Sequence, residues 1–137
     1  LAVLEGVPDT PEGVLSDLLA RDTASKRTFV THTPGPDARP ARLSYRVLTV
    51  RDGRALVRIR LETGRTHQIR AQFSSRGLPL CGDRKYGAKT DGPLGLWSYR
   101  IAFFHPQTNE RLTFTHDPPD TEPWLAFSDT LVTMKEK

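Results

Sequence analysis

The chain has 137 residues, a formal net charge of +4 and 36% hydrophobic residues, which is typical of one globular domain and excludes a disordered tail. No apolar run approaches the roughly 18 residues of a membrane-spanning helix, which excludes that class of protein. A single cysteine, Cys81, excludes an internal disulfide and a cysteine-based zinc site, and favours a reducing, cytoplasmic setting.

The basic residues are mainly arginines: fifteen of the twenty lysines and arginines are Arg. Because arginine forms forked hydrogen bonds with phosphate and stacks on bases, this composition favours a nucleic-acid partner. The alternative is a solvated basic surface in a protein from a GC-rich genome, and composition alone is compatible with both.

The first part of the chain is predicted to contain a strand, a turn and a short helix. Residues 1–4 are apolar and precede Glu-Gly-Val-Pro, which predicts a buried strand. A chain that begins inside a core strand without Met is expected to be a piece of a longer protein, cut just upstream of Leu1. Residues 6–13 predict a turn, residues 14–19 one or two helical turns, and residues 33–40, with three prolines, a loop.

Two runs of alternating residues flank Asp52-Gly53, a dipeptide typical of hairpin turns. A strict two-residue turn would place Arg46 opposite Ile59. A three-residue turn places Arg46 opposite Arg60 and leaves one face apolar, so we prefer that register. Two facing arginines favour an anion between them. The predicted strands are residues 43–50 and 55–62.

The segment after this hairpin predicts a helix with an anion-binding start. Thr66 is the expected N-cap of a helix over residues 67–76, and Gly77 is its expected stop. Arg65 lies just before the helix and Arg70 one turn into it. Because the first helical turn has free N–H groups, an anion is favoured there.

The C-terminal part predicts a second strand pair and a final helix. Residues 99–104 and 112–115 flank a turn at residues 105–110. Residues 120–131 carry apolar residues on one helical face, with Thr121 as the expected cap. These elements predict an α+β fold, with a mixed or mainly antiparallel sheet and two or three helices.

Two consecutive motifs identify a family resemblance. Glu-Thr-Gly-Arg-Thr-His-Gln-Ile-Arg at residues 62–70, followed by Gly-Leu-Pro-Leu-Cys-Gly-Asp-Arg-Lys-Tyr-Gly at residues 77–87, resembles the C-terminal signature of RluA-type RNA pseudouridine synthases. Residues 1–8 and the predicted hairpin that contains Phe-Phe-His-Pro at residues 103–106 also resemble that family. The resemblance covers nearly the whole chain and implies that residues 1–137 are the C-terminal portion of a pseudouridine synthase catalytic domain.

The resemblance implies an enzyme that isomerises specific uridines in rRNA or tRNA to pseudouridine without a cofactor or a metal. The family uses an Asp in a His-Arg-Leu-Asp motif, and this sequence contains no such motif. The family's active-site Tyr would lie one residue upstream of Leu1. The family Arg that pairs with the Asp corresponds to Arg65. The chain alone is therefore expected to be inactive, and a non-catalytic RNA-binding module is the alternative.

Seven further residues are candidate RNA contacts with structural alternatives. Arg58 and Arg60 suit either an RNA track or a solvated sheet face. His67 and Tyr86 suit either RNA contacts or internal hydrogen bonds. Asp83 is expected to cap a turn or to pair with a basic neighbour. The candidate RNA contacts are Arg58, Arg60, His67, Gln68, Arg70, Lys85 and Tyr86.

The expected partner is RNA, and no membrane contact is expected. If strands that complete the sheet are absent, an unpaired strand edge is exposed, so the chain is expected to dimerise or aggregate through that edge.

Overall fold

The computed structural model describes residues 1–135, which form a five-stranded sheet, a separate two-stranded hairpin and two short α-helices. All strand pairings are antiparallel, and the strands of the larger sheet lie in the order β1-β5-β4-β2-β3. This confirms the predicted α+β class. The strands are β1 Ala2–Leu4, β2 Glu12–Asp22, β3 Arg27–Thr31, β4 Arg39–Arg51, β5 Arg54–Leu61, β6 Arg100–Phe104 and β7 Arg111–Thr115. The helices are α1 Gln68–Ser74 and α2 Ser128–Lys135, and single 3₁₀ turns occur at Arg84–Tyr86 and Leu125–Phe127.

The predicted helix at residues 14–19 is wrong, because these residues belong to strand β2. Strand β2 pairs with β4 on one side and with β3 on the other. Leu15 and Leu19 are buried, and Asp17 accepts hydrogen bonds from Gln72 and Arg76 of the α1 segment. Asp17 therefore shares the inward-facing side of the strand with Leu15 and Leu19. A polar residue at this position interrupts the alternation of apolar and polar residues by which a strand is recognised.

The β4–β5 hairpin forms where predicted, but its register differs from both alternatives. Arg51 lies opposite Arg54, so the turn has two residues, Asp52 and Gly53, at φ 51° and 75°. A bulge between Val47 and Thr49 then shifts the pairing by one residue. As a result Arg46 lies opposite Arg58, not opposite Arg60 or Ile59.

The core lies on both faces of the larger sheet. Helix α1 covers one face, where Phe73 packs with Leu43 and Val57. Trp124 and Phe127 cover the other face beside β1 and β5. These two clusters bury β1 on both sides, which confirms the buried strand predicted at the start of the chain.

The strand pair predicted near the C-terminus is confirmed as β6 and β7, whereas the final helix begins later than predicted. A 3₁₀ turn occupies Leu125–Phe127, and α2 begins at Ser128 rather than near Thr121. Proline at position 123 lacks an N–H group and restricts the residue before it, so an α-helix is disfavoured at residues 120–123. Trp124 and Phe127 are nevertheless buried together.

Both outer edges of the larger sheet receive hydrogen bonds from this chain. On the β1 side, Val3 N–H donates to the Gly95 carbonyl at 2.9 Å, and Cys81 N–H donates to the Val3 carbonyl at 2.8 Å. On the β3 side, Thr28 N–H donates to the Tyr86 hydroxyl at 2.9 Å. Dimerisation through a sheet edge stays a prediction. Because these contacts occupy some of the edge groups, only part of each edge is available to a second chain.

Within residues 1–135, neither helix has the length and hydrophobicity that crossing a membrane requires.

Replacing Phe73 by Ala should destabilise the fold. Phe73 is 1% exposed and its ring meets that of Tyr45 edge-on at 5.7 Å, so we expect a loss of about 3–5 kcal/mol in the free energy of unfolding. Phe104, which is 64% exposed, is the matched control, and Phe104→Ala should change stability by less than about 0.5 kcal/mol. Urea denaturation followed by circular dichroism measures both. Equal effects would contradict the assigned core.

Candidate functional site

A cleft of about 260 Å³ lies where strand β5 leads into helix α1. Its apolar lining includes Leu61, Leu94 and Leu96, and its polar lining includes Arg65 and His67. No carboxylate is among the lining residues that the structure describes. A cleft with apolar walls and cationic groups can hold a flat, partly apolar ligand next to an anionic group.

Arg65 lies at the mouth of this cleft in the turn between β5 and α1. Its Nε donates a hydrogen bond to the Pro40 carbonyl at 2.9 Å, and its backbone N–H donates to Gln68 Oε1 at 3.0 Å. No ion pair involving Arg65 occurs within residues 1–135. The turn therefore fixes the residue, while its charge has no carboxylate partner in this part of the chain.

Helix α1 begins at a strained residue. His67 occupies the N-cap position with φ 52° and makes no capping hydrogen bond with its side chain, so the prediction of Thr66 as N-cap is wrong. Left-handed backbone is unusual for a residue other than glycine, and histidine is among the residues that adopt it more often. After the helix, Gly77 adopts φ 74°, as predicted for the stop.

The phenol of Tyr86 joins three elements of the fold. Its hydroxyl accepts the Thr28 N–H at 2.9 Å and lies 2.9 Å from His67 Nδ1. Since the hydroxyl oxygen accepts the Thr28 N–H and keeps its own proton, it can donate that proton to Nδ1 when His67 is neutral. Burial lowers the pKa of His67, and the charges of Arg70, Arg21 and Lys85 lower it further.

Arg70 and Asp83 form an ion pair in which the carboxylate is buried. Two nitrogens of Arg70 donate to the two carboxylate oxygens of Asp83, each at 2.8 Å, and the Asp83 side chain is 2% exposed. The hydrogen bond that Arg70 donates to Asp83 raises the pKa of Arg70 above its ordinary value. Asp83 thus has the pairing role that the sequence predicts, with Arg70 rather than a neighbouring residue as its partner.

The candidate RNA contacts fall into three groups. Gln68 and Tyr86 are buried, and Arg70 is held by Asp83. Lys85 is exposed near His67. Arg58 and Arg60 are also exposed, but they alternate with Val57 and Ile59, which pack towards α1. Their side chains therefore lie on the opposite face of the sheet from the cleft.

Two basic residues near the site have no signal in the sequence. The guanidinium of Arg27 lies 5.0 Å from the centre of the Tyr86 ring, and that of Arg70 lies 4.7 Å from it. Arg21 is close enough to lower the pKa of His67. Arg21 and Arg27 belong to the β2–β3 hairpin. Only the tertiary fold brings this hairpin close to the start of α1, so the sequence does not indicate the two residues.

Comparison with solved structures establishes the class of fold. Human RNA Pseudouridylate Synthase Domain Containing 1 superposes with a TM-score of 0.74 at 23% sequence identity, over 98% of this chain and 63% of that one. Human RNA Pseudouridylate Synthase Domain Containing 4 gives a TM-score of 0.72 at 20% identity, over 96% and 60%. The α+β fold is therefore that of pseudouridylate synthase domains.

Sequence comparison gives the family. The profile described as RNA pseudouridylate synthase matches residues 6–75, which include Arg65 and most of the cleft. The chain is 37% identical over 120 residues to an uncharacterized RNA pseudouridine synthase of Bacillus subtilis, YjbO, covering 86% of this chain and 38% of that protein. It is 35% identical over 113 residues to ribosomal large subunit pseudouridine synthase D of Vibrio parahaemolyticus, covering 71% and 34%. The chain belongs to the RNA pseudouridylate synthase family, and it spans 34–38% of the length of these two relatives.

His67 should titrate below its ordinary pKa. Its pKa is about 6.5 in an unfolded chain, and burial and neighbouring cations lower it in the folded protein. The folded state therefore binds this proton less tightly, and the contribution of His67 to stability is lost as pH falls below about 6.5. NMR titration of the imidazole in the folded chain and in urea measures both values. A folded midpoint at or above the unfolded one would contradict the effect assigned to burial and to the neighbouring cations.

Asp83→Asn should destabilise the fold by about 3 kcal/mol, because it removes the buried carboxylate that pairs with the partly buried Arg70 charge. The matched control is Asp91→Asn, since Asp91 is 91% exposed and meets Arg84 at 3.4 Å. An exposed pair of this kind contributes less than about 1 kcal/mol. Thermal or urea unfolding measures both variants. Similar stabilities would rule out a structural role for Asp83.

Proposed function

We propose that this chain is the C-terminal portion of a pseudouridine synthase catalytic domain, and that the protein carrying it converts specific uridines in rRNA or tRNA to pseudouridine in the cytoplasm. One observation carries the proposal: Arg65, inside the segment that matches the family profile, lies beside an apolar cleft and has no carboxylate partner within residues 1–135. A carboxylate supplied by residues outside this chain completes the site.

Arg65 supplies the positive charge of this site. A carboxylate in an apolar pocket has its pKa raised by desolvation, which weakens it as a nucleophile. A guanidinium at hydrogen-bond distance lowers that pKa and fixes the direction of the carboxylate. Because the Pro40 carbonyl engages only Nε of Arg65, the terminal nitrogens are the donors for an incoming carboxylate.

The apolar walls of the cleft hold the uracil base. Leu61, Leu94 and Leu96 offer aliphatic surface to both the ring and its edges. A uridine reaches such a cleft only after leaving its base stack, which costs a few kcal/mol in a duplex and less in a loop. The walls compensate part of this cost and exclude water from the reacting base.

Basic residues on the cleft side bind the phosphates that flank the uridine. Lys85, Arg21 and Arg27 are exposed and lie around His67 and Tyr86. Arg58 and Arg60 extend the basic surface on the other face of the sheet. Phosphate contacts of this kind make RNA affinity fall with increasing salt.

The experiment is tritium release from RNA labelled at uridine C5. Isomerisation breaks the bond from the ribose to uracil N1, forms one to C5, and releases the C5 hydrogen. We expect release by the product of the same gene extended upstream, and none by the 137-residue chain alone. RNA binding without release by either protein would favour the non-catalytic RNA-binding module and overturn the proposal.

In the active, longer protein, Arg65→Ala should lower the turnover number about 100-fold, as expected when a charged group at the reacting centre is lost. The RNA dissociation constant should change by less than about threefold, because the residue acts on the carboxylate rather than on RNA. Arg39→Ala is the matched control, since Arg39 also donates to a proline carbonyl, that of Pro36, at 2.7 Å and lies away from the cleft. Single-turnover kinetics and RNA titration measure the two quantities. Equal losses in turnover and affinity would make Arg65 a binding residue only.

A further inference from the structure

We infer that Gln68 is the positioning residue of Arg65: its buried side chain, rather than contacting RNA, fixes the turn from which the arginine reaches the cleft. The inference rests on the proposed function for the catalytic consequence, whereas the positioning itself is a property of the 137-residue chain.

Gln68 bonds both backbone groups of Arg65. The side-chain Oε1 of Gln68 accepts the backbone N–H of Arg65 at 3.0 Å. The backbone N–H of Gln68 donates to the Arg65 carbonyl, also at 3.0 Å. A glutamine that reaches back to an N–H group three residues earlier also occurs in capping boxes at helix starts. Here the arrangement holds the two peptide groups on either side of the Arg65 Cα, and so sets the direction of its side chain.

The same amide ties the turn to the sheet. Oε1 of Gln68 also accepts the Thr63 hydroxyl at 2.7 Å, and Nε2 donates to the Arg42 carbonyl at 3.2 Å. Thr63 in turn accepts the Arg42 N–H at 2.9 Å. Since both donors meet one end of the amide and a carbonyl meets the other, the orientation of the amide is determined.

A direct RNA contact is incompatible with these bonds. Gln68 is 3% exposed, and its acceptor oxygen already has two donors. Reaching RNA would break bonds in the interior and leave the Arg65 N–H without a partner, which is unfavourable for a polar group in a half-buried turn. The contacts therefore support a bracing role for Gln68 rather than the RNA contact expected from the sequence.

The first measurement is amide hydrogen exchange at Arg65 in the 137-residue chain. We expect Gln68→Leu to accelerate exchange of the Arg65 N–H at least tenfold. Gln72→Leu is the matched control, because Gln72 is a fully buried glutamine one turn along the same helix that bonds Asp17 instead. After correction for global stability it should leave Arg65 exchange unchanged. Equal exchange rates at Arg65 in the wild type and in Gln68→Leu would overturn the inference.

Gln68→Glu gives a second test if the leucine variant fails to fold. The new carboxyl oxygen would face the Arg42 carbonyl, so only the protonated acid can donate the bond that Nε2 makes. Arg65 protection in this variant, relative to the wild type, should therefore increase as pH falls through the pKa of the introduced acid. A pH-independent ratio would contradict the role of the Gln68 amide.

The third measurement uses the longer, active protein. Gln68→Leu should lower the turnover number at least tenfold and leave the RNA dissociation constant within threefold. If the wild type itself shows no turnover, the proposed function fails while exchange at Arg65 still decides the positioning. If Gln68→Leu weakens RNA binding and turnover equally, Gln68 is an RNA contact and the inference is wrong.

Discussion

The carbonyl group of Arg42 determines how the sheet joins the helix. It accepts hydrogen bonds from the backbone N–H groups of Glu62 and Thr63 at 3.0 and 3.3 Å, and from Nε2 of Gln68 at 3.2 Å. A carbonyl oxygen has two lone pairs, so three donors at this range share it rather than each forming an ideal bond. This shared acceptor nevertheless fixes where β5 ends and α1 begins, and the short turn between them holds Arg65. The position of the candidate site is thus determined by strand pairing as much as by the helix.

A second polar network holds the far side of the same helix. Arg70 reaches across to Asp83, and Tyr86 links His67 to the edge of the sheet through Thr28. In the low-dielectric interior, such bonds are strong when every member is satisfied and costly when one partner is lost. Because hydrogen bonds depend on direction, these bonds restrict the geometry of α1 and of the turn before it. The polar residues of the motif are mostly structural for that reason, although a sequence motif rich in Arg, His and Gln suggests contacts with a ligand.

The sequence allows prediction of features that depend on neighbouring residues. Asp52-Gly53 indicates the hairpin turn, and Gly77 marks the end of the helix, because both depend on backbone conformations that few residues adopt. Strand β2 is not predictable in this way, since Asp17 faces inward only because Arg76 and Gln72 meet it there. The bulge after Val47 has no local signal either, so the register of the arginines could not be derived. The motif that contains Arg65 indicates the site, but the roles of its neighbours depend on residues distant in the sequence, such as Arg42 and Tyr86.

The contacts around Arg65 restrict its side chain before any anion is bound. A free arginine side chain loses about 2 kcal/mol of rotamer entropy when it is fixed. Here the backbone bonds from Gln68 and the bond to the Pro40 carbonyl restrict Arg65 without using its terminal nitrogens. Part of the rotamer entropy of Arg65 is therefore lost during folding, before any anion is bound. On the proposed function, a carboxylate that enters the apolar cleft meets a guanidinium already held in place, so the pair forms with little reorganisation, and the lowered pKa of the carboxylate follows from the fold of this chain.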